Sequence, residues 1–137
     1  MITLILGKKG SGKTKRLIDM CNQAMEQSKG KVVFIEKDNT LTYNISHKVR
    51  LVAADEYGIC GFDSFYGLVA GMCAGNYDIT DIFVDSTLKI GGDIAGLLGF
   101  VEKLKALSDK TNTNVVMSIS ADPSEIPAKI AELATQI

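Results

Sequence analysis

Gly7, Gly12, Lys13 and Thr14 stand at the spacing G-x-x-x-x-G-K-[ST], directly behind the apolar run ITLIL. Glycines at these two places let the backbone turn tightly and bring successive N–H groups onto a phosphate chain. The Lys13 ammonium reaches β- and γ-phosphates, and the Thr14 hydroxyl offers a hard oxygen ligand to Mg²⁺. Lys8, Lys9, Gly10, Ser11 and Lys15 complete the stretch, so Gly7 to Lys15 as a whole is the expected nucleotide-binding segment. Lys8, Lys9, Lys13, Lys15 and Arg16 are five of the fifteen basic residues, which concentrates positive charge where phosphates would sit.

A metal-bound phosphate site calls for a carboxylate from elsewhere in the chain. Asp85 follows Ile82-Phe83-Val84, an apolar run of strand character, and suits the second ligand position for Mg²⁺. The alternative is that Asp85 caps the turn after its strand. Ser86 comes next, where many ATPases place a glutamate as base, so a base for hydrolysis must be sought elsewhere.

These residues need a scaffold of alternating strands and helices. ITLIL has strand length and β-branched content, and Leu17, Met20, Cys21, Ala24 and Ser28 recur at helical spacing up to Gly30. KVVFIE (31–36) reads as a strand buried on both faces, which makes a βαβ unit and a parallel sheet. In 39–61, Leu41, Tyr43 and Ile45 alternate with polar residues, and 49–53 has the character of a short strand. From Asp63 as N-cap, Phe65, Leu68, Val69, Met72 and Cys73 predict a helix that stops at Gly75.

DIFVDS (81–86) is expected as a strand and STLKIGGD (86–93) as a flexible loop. Ile94, Leu97, Leu98, Val101, Leu104 and Leu107 mark a long amphipathic helix, TNTN a turn, and VVMSIS (115–120) a further strand. A last helix capped by Asp122 or Ser124 would carry Ile126, Ile130, Leu133 and Ile137 on one face. The expected fold is one α/β domain over 1–137, a three-layer sandwich with a mostly parallel sheet.

Composition narrows the function further. With 137 residues, 46% apolar content and a net charge of −1, the chain suits a globular domain and lacks a generally basic surface for nucleic acid. Cys21, Cys60 and Cys73 are odd in number and widely spaced, and His47 is the only histidine, so neither a disulfide framework nor a zinc site is expected. No apolar stretch approaches the ~18 residues of a membrane span. These features predict a cytoplasmic protein with no membrane partner.

The P-loop, together with VFIEKDNTL (33–41), IFVDS (82–86) and FVEKLKALSDKTNTNVVMSIS (100–120), resembles the core segments of RecA-like P-loop ATPases. That resemblance implies ATP and Mg²⁺ as ligands, Asp85 as the Walker B acid, and a catalytic acid just beyond the strand after the first helix. The matching position is Asp38, with Glu36 two residues earlier. The family carries glutamate where Asp38 stands, and Asp38 could instead cap the turn at KDNT.

The chain is more loosely similar to RecA-like thymidine kinases, through Ser46-His47 and the strand before Asp85. Tyr43, Tyr57, Phe62 and Phe65 could stack on a base or pack in a core. Arg50 and Lys89 could complete a neighbouring subunit's site or be solvated charges.

The sequence thus predicts a Mg²⁺-dependent ATP-binding protein whose hydrolysis is slow or stimulated by a partner or a second copy. A nucleoside or small-molecule kinase and a nucleotide-dependent adaptor without turnover are the alternatives.

Overall fold

A computed structural model describes residues 1–40 and 44–137. Its strands are β1 (Ile2–Gly7), β2 (Lys31–Glu36), β3 (Arg50–Ala53), β4 (Ile79–Val84), β5 (Asn114–Ser120) and β6 (Thr135–Gln136). They form one sheet in the order β3-β2-β4-β5-β1-β6, with every neighbouring pair parallel. The helices are α1 (Lys13–Gln27), α2 (Phe62–Gly75), the short α3 (Thr87–Gly91) and α4 (Leu97–Thr111).

The near-continuous apolar strands are explained by burial on both sides. Side chains alternate across each strand, so Val33 and Ile35 of β2, Ile82 and Val84 of β4, and Val115, Met117 and Ile119 of β5 enter one cluster. That cluster also holds Phe65 and Val69 of α2 and Val101 and Leu104 of α4. Ile5, Val32, Phe34, Phe83 and Val116 point the other way and meet Leu17, Ile18 and Cys21 of α1. The spacing of these three residues gives α1 one apolar stripe. Burial pushes the Cys21 thiol up to about 12, and the nearby Asp81 carboxylate adds to the shift.

Helices on both faces give the sheet a functional rim. β1 leads into α1 on one face, whereas β5 leads to turns whose Ile126 and Ile130 join the cluster on the opposite face. Adjacent strands that send their connections to opposite sides leave a crevice at their C-terminal ends, where ligands of open α/β sheets bind. The loop after β1 opens at that crevice.

Several expectations about the elements change: the strand expected at 81–86 spans Ile79–Val84, and Ile94 lies in a 3-10 turn before α4 instead of within the long helix. Residues 86–93 contain α3 rather than a continuous loop, because Thr87 and Ile90 are buried and Gly91 lies so close to the Phe62 ring that a Cβ would collide with it. Gly91 thus serves close packing instead of flexibility. The expected last helix is replaced by two 3-10 turns, Pro123–Glu125 and Ala128–Glu132, and by β6. Asp122 does cap, in a reciprocal box with Glu125. Pro127, however, holds Ile126 extended at φ −82°, ψ 130° and interrupts the helical run.

The α2 cap is Gly61, not Asp63, which lies inside the first turn. α1 ends at Gln27, before Gly30. The strand expected at 49–53 is β3, whereas Leu41 and Tyr43 lie outside the described residues.

Candidate functional site

The loop between β1 and α1 owes its shape to glycine. Gly7 has φ 154°, and a Cβ there would meet the Ser11 hydroxyl. Gly12, the residue before α1, has φ 87°, in the left-handed region that side chains rarely adopt. The N-cap residue Gly12 has no side chain to cap α1, and no acidic residue sits in the helix's first turn. Its first N–H groups therefore keep their positive end for an outside acceptor.

Lys13 is buried although it is a lysine. Its Nζ donates to the Lys8 carbonyl at 2.8 Å and to Ser11 Oγ at 3.4 Å, so the ammonium is held within the loop by the loop's own oxygens. Lys8, Lys9, Gly10, Ser11 and Lys15 are exposed. Lys15 also pairs with Asp19 at 3.3 Å across one helical turn, a solvated contact of small energetic weight.

Thr14, one residue further, donates from Oγ1 to Asp85 at 3.0 Å (Oδ1) and 3.3 Å (Oδ2). Seventy-one positions separate these residues in the chain. The structure therefore brings the two expected metal ligands into contact at the C-terminal rim.

Ser118, which sequence reasoning missed, completes the arrangement. Its Oγ donates to Asp85 Oδ1 at 2.8 Å and accepts the Ser86 N–H at 2.8 Å. Ser86 Oγ lies 3.4 Å from Asp85 Oδ2. The available signal was alternation along β5, since Ser118 shares the α1-facing side with Val116 and its strand lies between β4 and β1.

Asp85 is 8% exposed, and its carboxylate meets the hydroxyl groups of Thr14, Ser86 and Ser118. Among the described residues no lysine or arginine forms an ion pair with it. A buried carboxylate is costly without a compensating positive charge, and neutral hydroxyls offset only part of that cost. Among the described residues no three His, Cys, Asp or Glu side chains cluster into a metal cage. Thr14 and Asp85 instead offer a sparse, all-oxygen pair of donors, of the kind that a hard divalent cation accepts.

The two other acids separate. Glu36 ends β2 and is buried, and its Oε1 accepts the Thr40 N–H at 2.8 Å, which closes the turn after the strand. Asp38 is exposed within that turn. Lys37 between them bonds to Asp55 at 3.0 Å, and this carboxylate raises the lysine's pKa above its ordinary value.

The remaining described sequence candidates make no hydrogen bond to Thr14 or Asp85. Phe62 and Phe65 each pack on Phe100 with ring centroids 4.9 Å apart. Tyr57, His47 and Arg50 line a cleft beside β3, and Lys89 is exposed on α3. Tyr43 lies outside the described residues. No family model matches the chain, and no curated protein matches it. Among the described residues no helix is long and apolar enough to cross a membrane.

Proposed function

We propose that the protein is a P-loop nucleotide-binding domain of RecA-like type that binds ATP with Mg²⁺ and hydrolyses it slowly, or faster when a partner completes the site. The observation that carries this reading is the buried Asp85 carboxylate, which meets the Thr14 hydroxyl at 3.0 Å and has no cationic partner among the described residues. Such a carboxylate gains most from a divalent cation in contact with it.

In this reading the Lys13 ammonium exchanges the Lys8 carbonyl and Ser11 hydroxyl for phosphate oxygens, and the uncapped first turn of α1 adds its N–H groups to them. Thr14 and Asp85 would hold Mg²⁺ through their side-chain oxygens, while the Ser118 hydroxyl keeps the carboxylate oriented. When bound, Mg²⁺ neutralises charge on the β- and γ-phosphates. Asp38, on the rim beyond β2, is the residue proposed to orient the attacking water, because Ser86 cannot replace a glutamate.

Product analysis with purified protein, ATP and Mg²⁺ tests the reading. ADP and phosphate are expected at a slow rate. A phosphorylated acceptor would instead indicate a kinase, bound intact ATP would indicate an adaptor, and the absence of ATP binding by calorimetry would overturn the proposal.

A further inference from the structure

The sheet ends in β3, and among the described residues nothing pairs with the outer side of this strand. Half of a strand's backbone polar groups point to each side, so this edge offers about two N–H and two C=O groups to a neighbour. Beside it opens a cleft of about 900 Å³. Leu68 and Met72 on its wall pack against the cluster under α2, and Leu51 packs against the cluster under α1. A cleft lined from both clusters wraps around the strand edge instead of lying on one face.

Its charge has one sign. Lys31, His47, Lys48 and Arg50 line it and are exposed, and no aspartate or glutamate does. None of the three Lys and Arg side chains takes part in an ion pair among the described residues. On the α2 wall, Gly71 and Gly75 have open space where a Cβ would stand, which leaves room for another backbone to approach.

We propose that this edge accepts an extended acidic peptide segment of a partner protein as a seventh strand. The peptide backbone would pair with the outer side of β3. Its carboxylates would lie on the α2-facing side, where Arg50 is in register with Val33, and face Lys31, Lys48 and Arg50, while its alternate, apolar side chains would lie on the opposite side with Leu51. Strand addition obtains affinity from main-chain hydrogen bonds and specificity from alternate side chains, and the cleft supplies both kinds of contact. Two copies joined edge to edge would bring these cations toward one another, so charge complementarity favours an acidic partner over a second copy. The free strand edge and apolar walls likewise suit a peptide better than a nucleic acid, which carries its own charge but no strand to pair.

The test is fluorescence anisotropy on the full chain with a labelled peptide of about eight residues that alternates glutamate with valine. Binding is expected, together with slower amide exchange across 50–53 when the peptide is present. Lys48→Glu combined with Arg50→Glu, at exposed positions that leave the core intact, is expected to weaken binding by about tenfold or more. The same peptide N-methylated at alternate residues keeps its charge but loses strand pairing, and is expected to weaken comparably. Failure of the parent peptide to bind, equal binding of the N-methylated peptide, or tighter binding of an oligothymidylate would overturn the proposal. So would self-association through β3 that the peptide does not reverse.

Discussion

β2 and β4 lie side by side, and each leads into a buried acid at the same rim, Glu36 at 5% exposure and Asp85 at 8%. Their surroundings differ. Glu36 accepts a backbone N–H from Thr40, four residues on, and so shapes its own turn. Asp85 is held by hydroxyls from α1 and β5, brought together only by the tertiary fold. A hydroxyl can stay in place while its oxygen or its neighbour's turns toward a cation, whereas a main-chain N–H is committed to the turn. Equal burial of two carboxylates therefore does not imply equal availability for metal chemistry.

The largest effect is expected from Lys13→Ala, which tests whether the loop beside Asp85 is a phosphate site at all. Two charge-assisted contacts to phosphate, each contributing about 1.5–3 kcal/mol, correspond to a loss of ATP affinity of about 100-fold or more. Calorimetry on the folded variant measures it directly, and unchanged affinity would remove the nucleotide reading. Next in size, Asp85→Asn or Thr14→Ala is expected to lower affinity about tenfold more with Mg²⁺ than with EDTA. Equal losses in the two buffers would make both residues structural and erase the distinction from Glu36.

Ser118→Ala sharpens the comparison at an intermediate scale. The change removes a donor from Asp85 and leaves the Ser86 N–H without its acceptor. A lost hydrogen bond with an unsatisfied buried group costs about 1–3 kcal/mol, so a shift in the urea midpoint is expected. Mg²⁺-dependent affinity should fall less than in Asp85→Asn, because the ligand itself remains. A loss of metal dependence as complete as that of Asp85→Asn would make Ser118 a ligand rather than a support.

Much of this arrangement is legible in the sequence because its signals are local. The strand 31–36 is found at its predicted residues, since a compact apolar run bounded by polar residues has few other ways to be buried. The glycine and lysine spacing of the loop is likewise contained in eight positions. Ser118 was hidden because a serine within a buried strand gives no sign of its partner, and Asp85 lies thirty-three residues away. The Gly91-Gly92 pair suggested flexibility, but Gly91 accommodates the Phe62 ring, a contact visible only once α2 and α3 are packed together. In the C-terminal stretch, isoleucines at helical spacing outweighed Pro127, although proline's restriction on the preceding residue decided the outcome.

The smallest effect on binding and stability, and the most specific test, comes from the turn after β2. Glu36→Gln keeps an acceptor oxygen for the Thr40 N–H, so the turn should survive, and ATP affinity and turnover should change by less than about threefold. Asp38 is exposed, and replacing it with asparagine removes a base without removing a packed group, so the unfolding free energy from urea titration should stay within about 0.5 kcal/mol of the parent. General-base assistance contributes about 10²–10⁴-fold when well placed. An exposed aspartate, shorter than glutamate by one methylene, should realise only part of that, and a fall in hydrolysis of about tenfold is expected while ATP binding holds. Single-turnover assays on Glu36→Gln and Asp38→Asn side by side separate the two roles. Wild-type turnover in folded Asp38→Asn would leave that residue as a turn former like Glu36 and transfer the search for the base to Asp55, Glu56 or a residue supplied by a partner.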